Sequence, residues 1–395
     1  MRNFIFISPN FPENYWKFCA NLKQDGFNVL GIGDCPYEEL KEEVKNSVDE
    51  YYRVGSLENY GEVYRAVAFY IFKYGEIEYL ESNNEYWLER DAYLRTAFNI
   101  KSGFTQKDVK KIKFKSQMKK YYKKAGIKTA EYCLVKSLKT CEKFIEKVGY
   151  PVIVKPDNGV GASDTRRIEN ADRLKEFFAS KRNVQYIMEE YIEGEVCTYD
   201  AIVGGDGEPV FETGNVTPYS LMDIVNENGN CAFYILNKPF DDVKECGIKT
   251  LKAFGVKNRF VHFEFFRLTK DQRIGKNGEV VALEVNMRPS GGISPDMMNY
   301  ANSTDVYKIW ADTLAYGFTQ KNVGDKYYCA FAGRRDGKTF AISDDDVKVK
   351  YYDSIKITGR VPEALSGAMG DRMFIAVFPT KKELDAFYAD VLKTV

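Results

Sequence analysis

Histidine is nearly missing from this chain, with one residue in 395. That scarcity excludes a multi-histidine metal site and any mechanism built on a pair of imidazoles. The eight cysteines are scattered, with no C-x-x-C and no metal-ligand spacing, so no zinc ribbon or dithiol centre is expected. They read as reduced thiols of a cytoplasmic protein. Net charge is missing too. Lys+Arg and Asp+Glu both number 57. This balance gives no ground for a nucleic-acid partner or for an anionic membrane surface. No apolar run approaches the length of a membrane span. The start, MRNFIFISPN, reads as a strand and turn rather than a secretion signal. Its turn carries no G-x-G-x-x-G, so a Rossmann dinucleotide site is not expected.

What remains is a long chain, rich in Phe and Tyr, with aromatics at 15%. It is long enough for two or three domains and a large core. Residues 1 to about 100 alternate strand, helix and strand, which argues for a parallel sheet. Short strands and helices over 127–200 argue for an α+β unit. Within it, Val184–Tyr191 and Glu195–Val203 read as a hairpin. Residues 295–316 read as helical, and a strand-rich module follows from about 325, closed by a helix over 380–394. The basic run KDVKKIKFKSQMKKYYKK within 101–124 reads as a solvated helix, with Phe114, Met118, Tyr121 and Tyr122 facing inward.

Three stretches collect the polar chemistry. In Phe260–Gly292, two apolar strands flank a turn ending in Asn277-Gly278, which is hairpin chemistry. Side chains alternate faces in a strand, so His262, Glu264 and Phe266 share one face, as do Glu284, Asn286 and Arg288. Two carboxylates and an amide oxygen then converge beside a guanidinium. Such hard oxygen donors suit Mg²⁺ bridged to nucleotide phosphates. On this hairpin alone, a cross-strand ion network is an equal reading. His262 reads either as a substrate or Glu264 contact, or as a satisfied near-core residue. The second stretch is Val152-Ile153-Val154-Lys155-Pro156 with the loop Asn158–Ser163. A lysine on a buried strand needs an anion, and small residues let backbone N–H groups approach phosphate. The third is Met188–Glu195, where a strand leaving its sheet offers free backbone groups to a base edge. The loop Thr217–Asp223 reads as a surface excursion or, through Tyr219 or Asp223, as part of an amine pocket.

Together, in this order, the three stretches resemble the ATP-grasp superfamily. The resemblance covers roughly residues 1–330 and is carried by KSQMKKYYKKAGIKT, VIVKPDNGVGAS, MEEYIEGE and HFEF…LEVNMRPSGG. It is similar to the carboxylate–amine ligase branch, which includes L-amino acid ligases, and more distantly to carbamoyl phosphate synthetase large subunits. The resemblance implies an α/β and α+β architecture. An N-terminal parallel-sheet domain would span 1–110, and an ATP-grasp domain 111–325, with a lid subdomain at about 127–195. A small C-terminal α+β module would span 326–395. It implies ATP and two Mg²⁺ ions, with Mn²⁺ as a substitute. Lys115 and Lys155 would bind phosphates under a lid that includes Gly159, Gly161 and Ser163. Glu189, Glu190 and Ile192 would read adenine, and Glu195 would hold ribose. Glu264, Glu284 and Asn286 would carry the metals. Arg288 and Lys155 would act on the transferred phosphoryl, with His262, Arg288, Ser290 and Gly291 near the substrate. The implied activity is amide or peptide bond formation through an acyl phosphate, on small carboxylates and amines. An acid-activating relative such as a carboxylase, or a silent ATP-binding protein, is the alternative. The resemblance leaves a homodimer open.

Overall fold

The computed structural model describes residues 2–159, 164–218 and 229–395. The expected lid residues Gly161 and Ser163, and the candidate pocket residues Tyr219 and Asp223, lie outside them. Among the described residues no helix is long and apolar enough to cross a membrane.

Three sheets organise the chain. The first is parallel, with β1 (Arg2–Ile7), β2 (Phe27–Gly33), β3 (Glu50–Arg53) and β4 (Ile77–Glu81) in the order β3-β2-β1-β4. Its first strand shows why. The unbroken run Phe4–Ile7 is fully buried on both faces, as a strand covered on two sides requires. Ile5 and Ile7 pack with Val63, Ala66 and Tyr70 of the helix Tyr60–Tyr74. Phe4 and Phe6 point the other way, to Phe18 of the helix Trp16–Gln24 and to Trp310. Phe18 lies edge-on to both Tyr307 and Trp310. The N-terminal sheet is thereby joined by aromatic packing to elements from the distant end of the sequence.

The second sheet contains β5 (Tyr132–Leu134), β6 (Val152–Pro156), β7 (Arg166–Ile168) and β8 (Tyr186–Glu190), in the order β5-β8-β6-β7. Two helices pack on it, Leu138–Val148 and Ala171–Ser180, capped by the side chains of Ser137 and Asn170.

The third sheet has nine strands. It is built from β9 (Gly194–Val203), β10 (Pro209–Thr213), β11 (Asn215–Thr217), β12 (Cys231–Ile235), β13 (Arg259–Leu268), β14 (Val280–Asn286), β15 (Tyr328–Arg334), β16 (Ile355–Arg360) and β17 (Arg372–Phe378). The path is β14-β13-β9-β11-β12-β15-β17-β16, with β10 on β9. The expected hairpin of 184–203 does not form. β8 stays in the second sheet, and β9 pairs with β13 along its whole length. Residues 191–193 are the crossing between the two sheets. The C-terminal strands do not make a sheet of their own, because β15 pairs directly with β12.

Two helical readings are corrected. The basic run is two short helices, Val109–Lys113 and Lys115–Lys124, broken at an extended Phe114. Residues 294–316 are also two helices, Ser294–Asn302 and Val306–Tyr316, separated at Ser303, whose φ of 45° is left-handed.

One close approach sets the spacing of the third sheet from the helix Asp241–Phe254 that covers it. A Cβ added at Gly247 would lie 2.3 Å from Cγ of Tyr199, a fully buried ring on β9. Gly247→Ala should therefore destabilise the fold by about 1–3 kcal/mol, the usual cost of overpacking a dense core. Chemical denaturation measures this, and an unchanged midpoint would mean that the helix can move away freely.

Candidate active site

The centre of the site is the ladder between β13 and β14. His262 lies opposite Asn286, and Glu264 directly opposite Glu284. Directly opposed residues hold their Cβ atoms about 4.5–5.5 Å apart. Two carboxylates at that spacing repel by roughly 3 kcal/mol at an effective dielectric of 20, so the pairing needs cations. The protein supplies several. Lys115 Nζ lies 3.2 Å from Glu284 Oε1 and also donates to the carbonyl of Gly159 at 2.7 Å. His262 Nε2 sits 3.3 Å from Glu264 Oε1. Asn286 Nδ2 donates to the same oxygen at 3.2 Å. The two glutamate side chains keep 27% and 20% of their surface exposed. They thus retain an open side on which a further cation fits, and their donor atoms are the oxygens that Mg²⁺ prefers. Among the described residues there is no cluster of three or more His, Cys, Asp or Glu at a metal position. The candidate set is two carboxylates and one amide.

His262 is held from behind. Its Nδ1 is 2.7 Å from Oδ1 of Asp200, the residue opposite it on β9 and fully buried. Burial alone would strip its proton, but Asp200 and Glu264 outweigh that and push its pKa up to about 9. The only histidine is therefore held by Asp200 on one side and presents Nε2 to Glu264 on the other. Burial opposes ionisation of Glu264 as well, and His262, Arg288 and Lys155 together hold its carboxyl below the usual range.

The strand lysine is placed as its sequence setting predicts. Lys155 is buried, and its Nζ meets Glu189 Oε2 at 2.7 Å. Lys119 Nζ meets the other oxygen of Glu189 at 2.7 Å. Burial works against the charge on each member. For Glu189 the two lysines win decisively, and its pKa falls to about 2. Glu189, Glu284 and Glu264 raise Lys155 against its burial, whereas burial prevails at Lys119 and lowers it. The reading of the basic run as a solvated face is thus corrected. Lys113, Lys115 and Lys119 are all buried, each with an anionic partner.

The remaining expected residues divide. Arg288 touches Asn286 Oδ1 at 3.4 Å and Glu85 Oε2 at 3.5 Å. Ser290 is buried and Gly291 exposed just beyond it. Glu190 accepts from the backbone N–H of Glu131 and pairs with Arg273. Ile192 is buried in a small apolar cluster with Ala130, Leu268 and Val281. Glu195 stands opposite Arg267, and burial raises its carboxyl. Among the described residues no ion pair ties Glu195 to the lysine cluster.

Sequence reasoning missed Lys119, Asp157, Asp200 and Glu85. Lys119 had a signal, one helical turn beyond Lys115. Asp200 had one too, as a charge inside the apolar strand CTYDAIV. Asp157 accepts from Ser116 N and Oγ at 2.8 and 2.7 Å, and so pins the start of the lysine helix. Glu85 had none, because it arrives from the turn that follows β4 to meet Lys113 at 2.6 Å and Arg288.

The Glu189 clamp makes a measurable contribution. Its carboxyl is depressed, so the stability it adds is fully present above pH 4.5, its ordinary value, and is lost as pH falls toward about 2. Glu189→Gln leaves two buried lysines without their anion, and should cost on the order of 3–5 kcal/mol at pH 7. The gap from wild type should narrow on acidification. Denaturation series at several pH values test this, and a constant gap would contradict it.

Comparison with known proteins fits this geometry. Residues 113–220 match the ATP-grasp domain model. The L-arginine-specific L-amino acid ligase of Bacillus subtilis is 26% identical over 302 residues, covering 74% of this chain and 70% of that protein. D-alanine–D-alanine ligase B of Clostridium perfringens is 28% identical over 181 residues, 44% of this chain and 57% of its own length. Among solved structures, the L-amino acid ligase of Bacillus licheniformis superposes with a TM-score of 0.72 at 15% identity, covering 100% of this chain and 98% of that one. The chain carries an ATP-grasp domain on the ATP-grasp fold, and amino-acid ligases are among its relatives.

Proposed function

We propose that this protein is an ATP-dependent carboxylate–amine ligase. In this reading a carboxylate oxygen attacks the terminal phosphorus of ATP, and the bond from that phosphorus to the bridging oxygen breaks, leaving ADP. An amine then attacks the acyl phosphate carbon and expels inorganic phosphate, so that an amide or peptide bond is formed. The observation that carries the reading is the opposed pair Glu264 and Glu284, with Lys115, Lys155 and Arg288 turned toward it.

The first step brings two anions together, so most of its barrier is electrostatic. Lys155 and Lys115 bind the phosphates, and Arg288 lies against the transferred phosphoryl and the substrate carboxylate. His262 holds Glu264 ionised and oriented. Glu264, Glu284 and Asn286 would hold Mg²⁺, which when bound would supply further neutralisation of charge at the phosphoryl group. Glu189, Glu190 and the Ile192 backbone border the adenine, and Glu195 holds the ribose. Gly159, whose carbonyl accepts from Lys115, borders the phosphates. Residues 1–110 and the stretch around Ser290 and Gly291 face the substrates, residues 111–325 hold the nucleotide, and residues 326–395 complete the frame. The substrates are small carboxylates and amines, with amino acids the first to try. Eight free thiols suit a reducing cytoplasmic setting.

The test is release of ADP and phosphate against pooled amino acids, with mass spectrometry of the products. Turnover should require both a carboxylate and an amine, and the product should be their condensation. Stimulation by bicarbonate alone would favour a carboxylase, and ATP binding without turnover on any pool would favour a silent binder. Lys155→Ala and Glu284→Ala should each lower kcat/KM by about 10²–10³-fold or more in a folded protein.

A further inference from the structure

A cavity of about 900 Å³ opens where the loop 99–108 of the N-terminal region meets the turn before β13. Its charge is one-sided. Arg95, Lys101, Lys107, Lys111, Lys257 and Arg259 line it, and Asp108 is the single acid on its wall. Asp108 is already engaged, 3.0 Å from Lys111. Lys101 reaches only the side chain of Asn99. Lys107 and Lys257 are exposed and have no acidic partner among the described residues.

The floor is two buried guanidiniums. Arg95 and Arg259 are 0% and 2% exposed, and both rest on the same oxygen of Glu81. The carboxyl of Asp91 lies 3.9 Å from Arg95 and accepts from Ser82 N and Oγ. The loop closes tightly over this pair. At Gly103, with φ of 75°, a Cβ would meet Arg259 Nη2 at 2.6 Å. On the wall beside it, the buried hydroxyl of Ser102 has no hydrogen-bond partner.

We propose that this cavity binds a small phosphate-bearing anion, at a site separate from the lysines that face the nucleotide. Lys101, Lys107 and Lys257, which have no carboxylate partner among the described residues, attract a compact multivalent anion more strongly than a neutral molecule. Lysine ammonium groups meet such an anion as point charges, and the Ser102 hydroxyl adds a donor. The volume lies within the range of small-molecule sites. The chain has zero net charge, so no overall positive field favours a polyanionic polymer.

Inorganic pyrophosphate is the probe, titrated by calorimetry at moderate salt without divalent ions. Wild type, Lys155→Ala and the double variant Lys107→Glu/Lys257→Glu are compared, with thermal melts to verify folding. Both substituted lysines of the double variant are exposed, so its fold should survive. The double variant should weaken pyrophosphate binding by at least about ten-fold, with Lys155→Ala retaining a binding event of wild-type affinity. Binding lost only in Lys155→Ala would assign it to the nucleotide site and overturn the proposal. Absence of binding to wild type, or equal affinity in the double variant, would overturn it as well. Citrate serves as the control. Affinity for citrate equal to that for pyrophosphate would show a general anion recess and refute the assignment to phosphate. None of these outcomes depends on whether ligase turnover is found.

Discussion

Two negative charges held face to face across a β-ladder cannot stand alone. Glu264 and Glu284 are fixed opposite each other by backbone hydrogen bonds, so neither can retreat without loss of the register. Everything nearby answers that repulsion. Lys115 comes from a helix, His262 from the same strand, and Lys155 from another sheet. Each arrives with its own support, namely the Gly159 carbonyl, Asp200 and Glu189. The site is a lattice in which each cation has an acceptor behind it, a carboxylate or a backbone carbonyl, and a carboxylate in front. This explains how so many ionisable groups can be buried in one region without neutralising themselves by proton transfer.

The lattice also explains why three sheets must be held in one arrangement. Phe18, Tyr307 and Trp310 fasten the first sheet to the helices that follow β14. That packing brings Glu85 to Lys113 and Arg288. The crossing at 191–193 takes the chain from the sheet that bears Lys155 to the sheet that bears Glu264. Nonlocal packing, rather than any one motif, sets the distances at the centre.

Much of this was legible in residue order, for a physical reason. Alternation along a strand is strict, so His262, Glu264, Glu284 and Asn286 could be assigned to a common face, and the register agrees. A charge inside an apolar strand demands a partner, and this singled out Lys155 and Glu284. Other features were illegible because tertiary contacts decide them. The lysines of 113–119 look like a solvated face until their partners Glu85, Glu284 and Glu189 are known. The pairing of β9 with β13, rather than with β8, depends on a strand sixty residues away. The contribution of Glu85 could not be foreseen from its neighbours.

The union of β15 with β12 has a consequence for how the protein can be dissected. Five backbone pairings join them, and Phe233 stacks on Phe331 across the seam at 4.7 Å. A chain cut near residue 326 would bare the whole rim of β12 and strip its aromatic cover, leaving a sticky template for other strands. The tail is thus better regarded as a sealing wall than as an appendage, and any minimal catalytic fragment has to retain it.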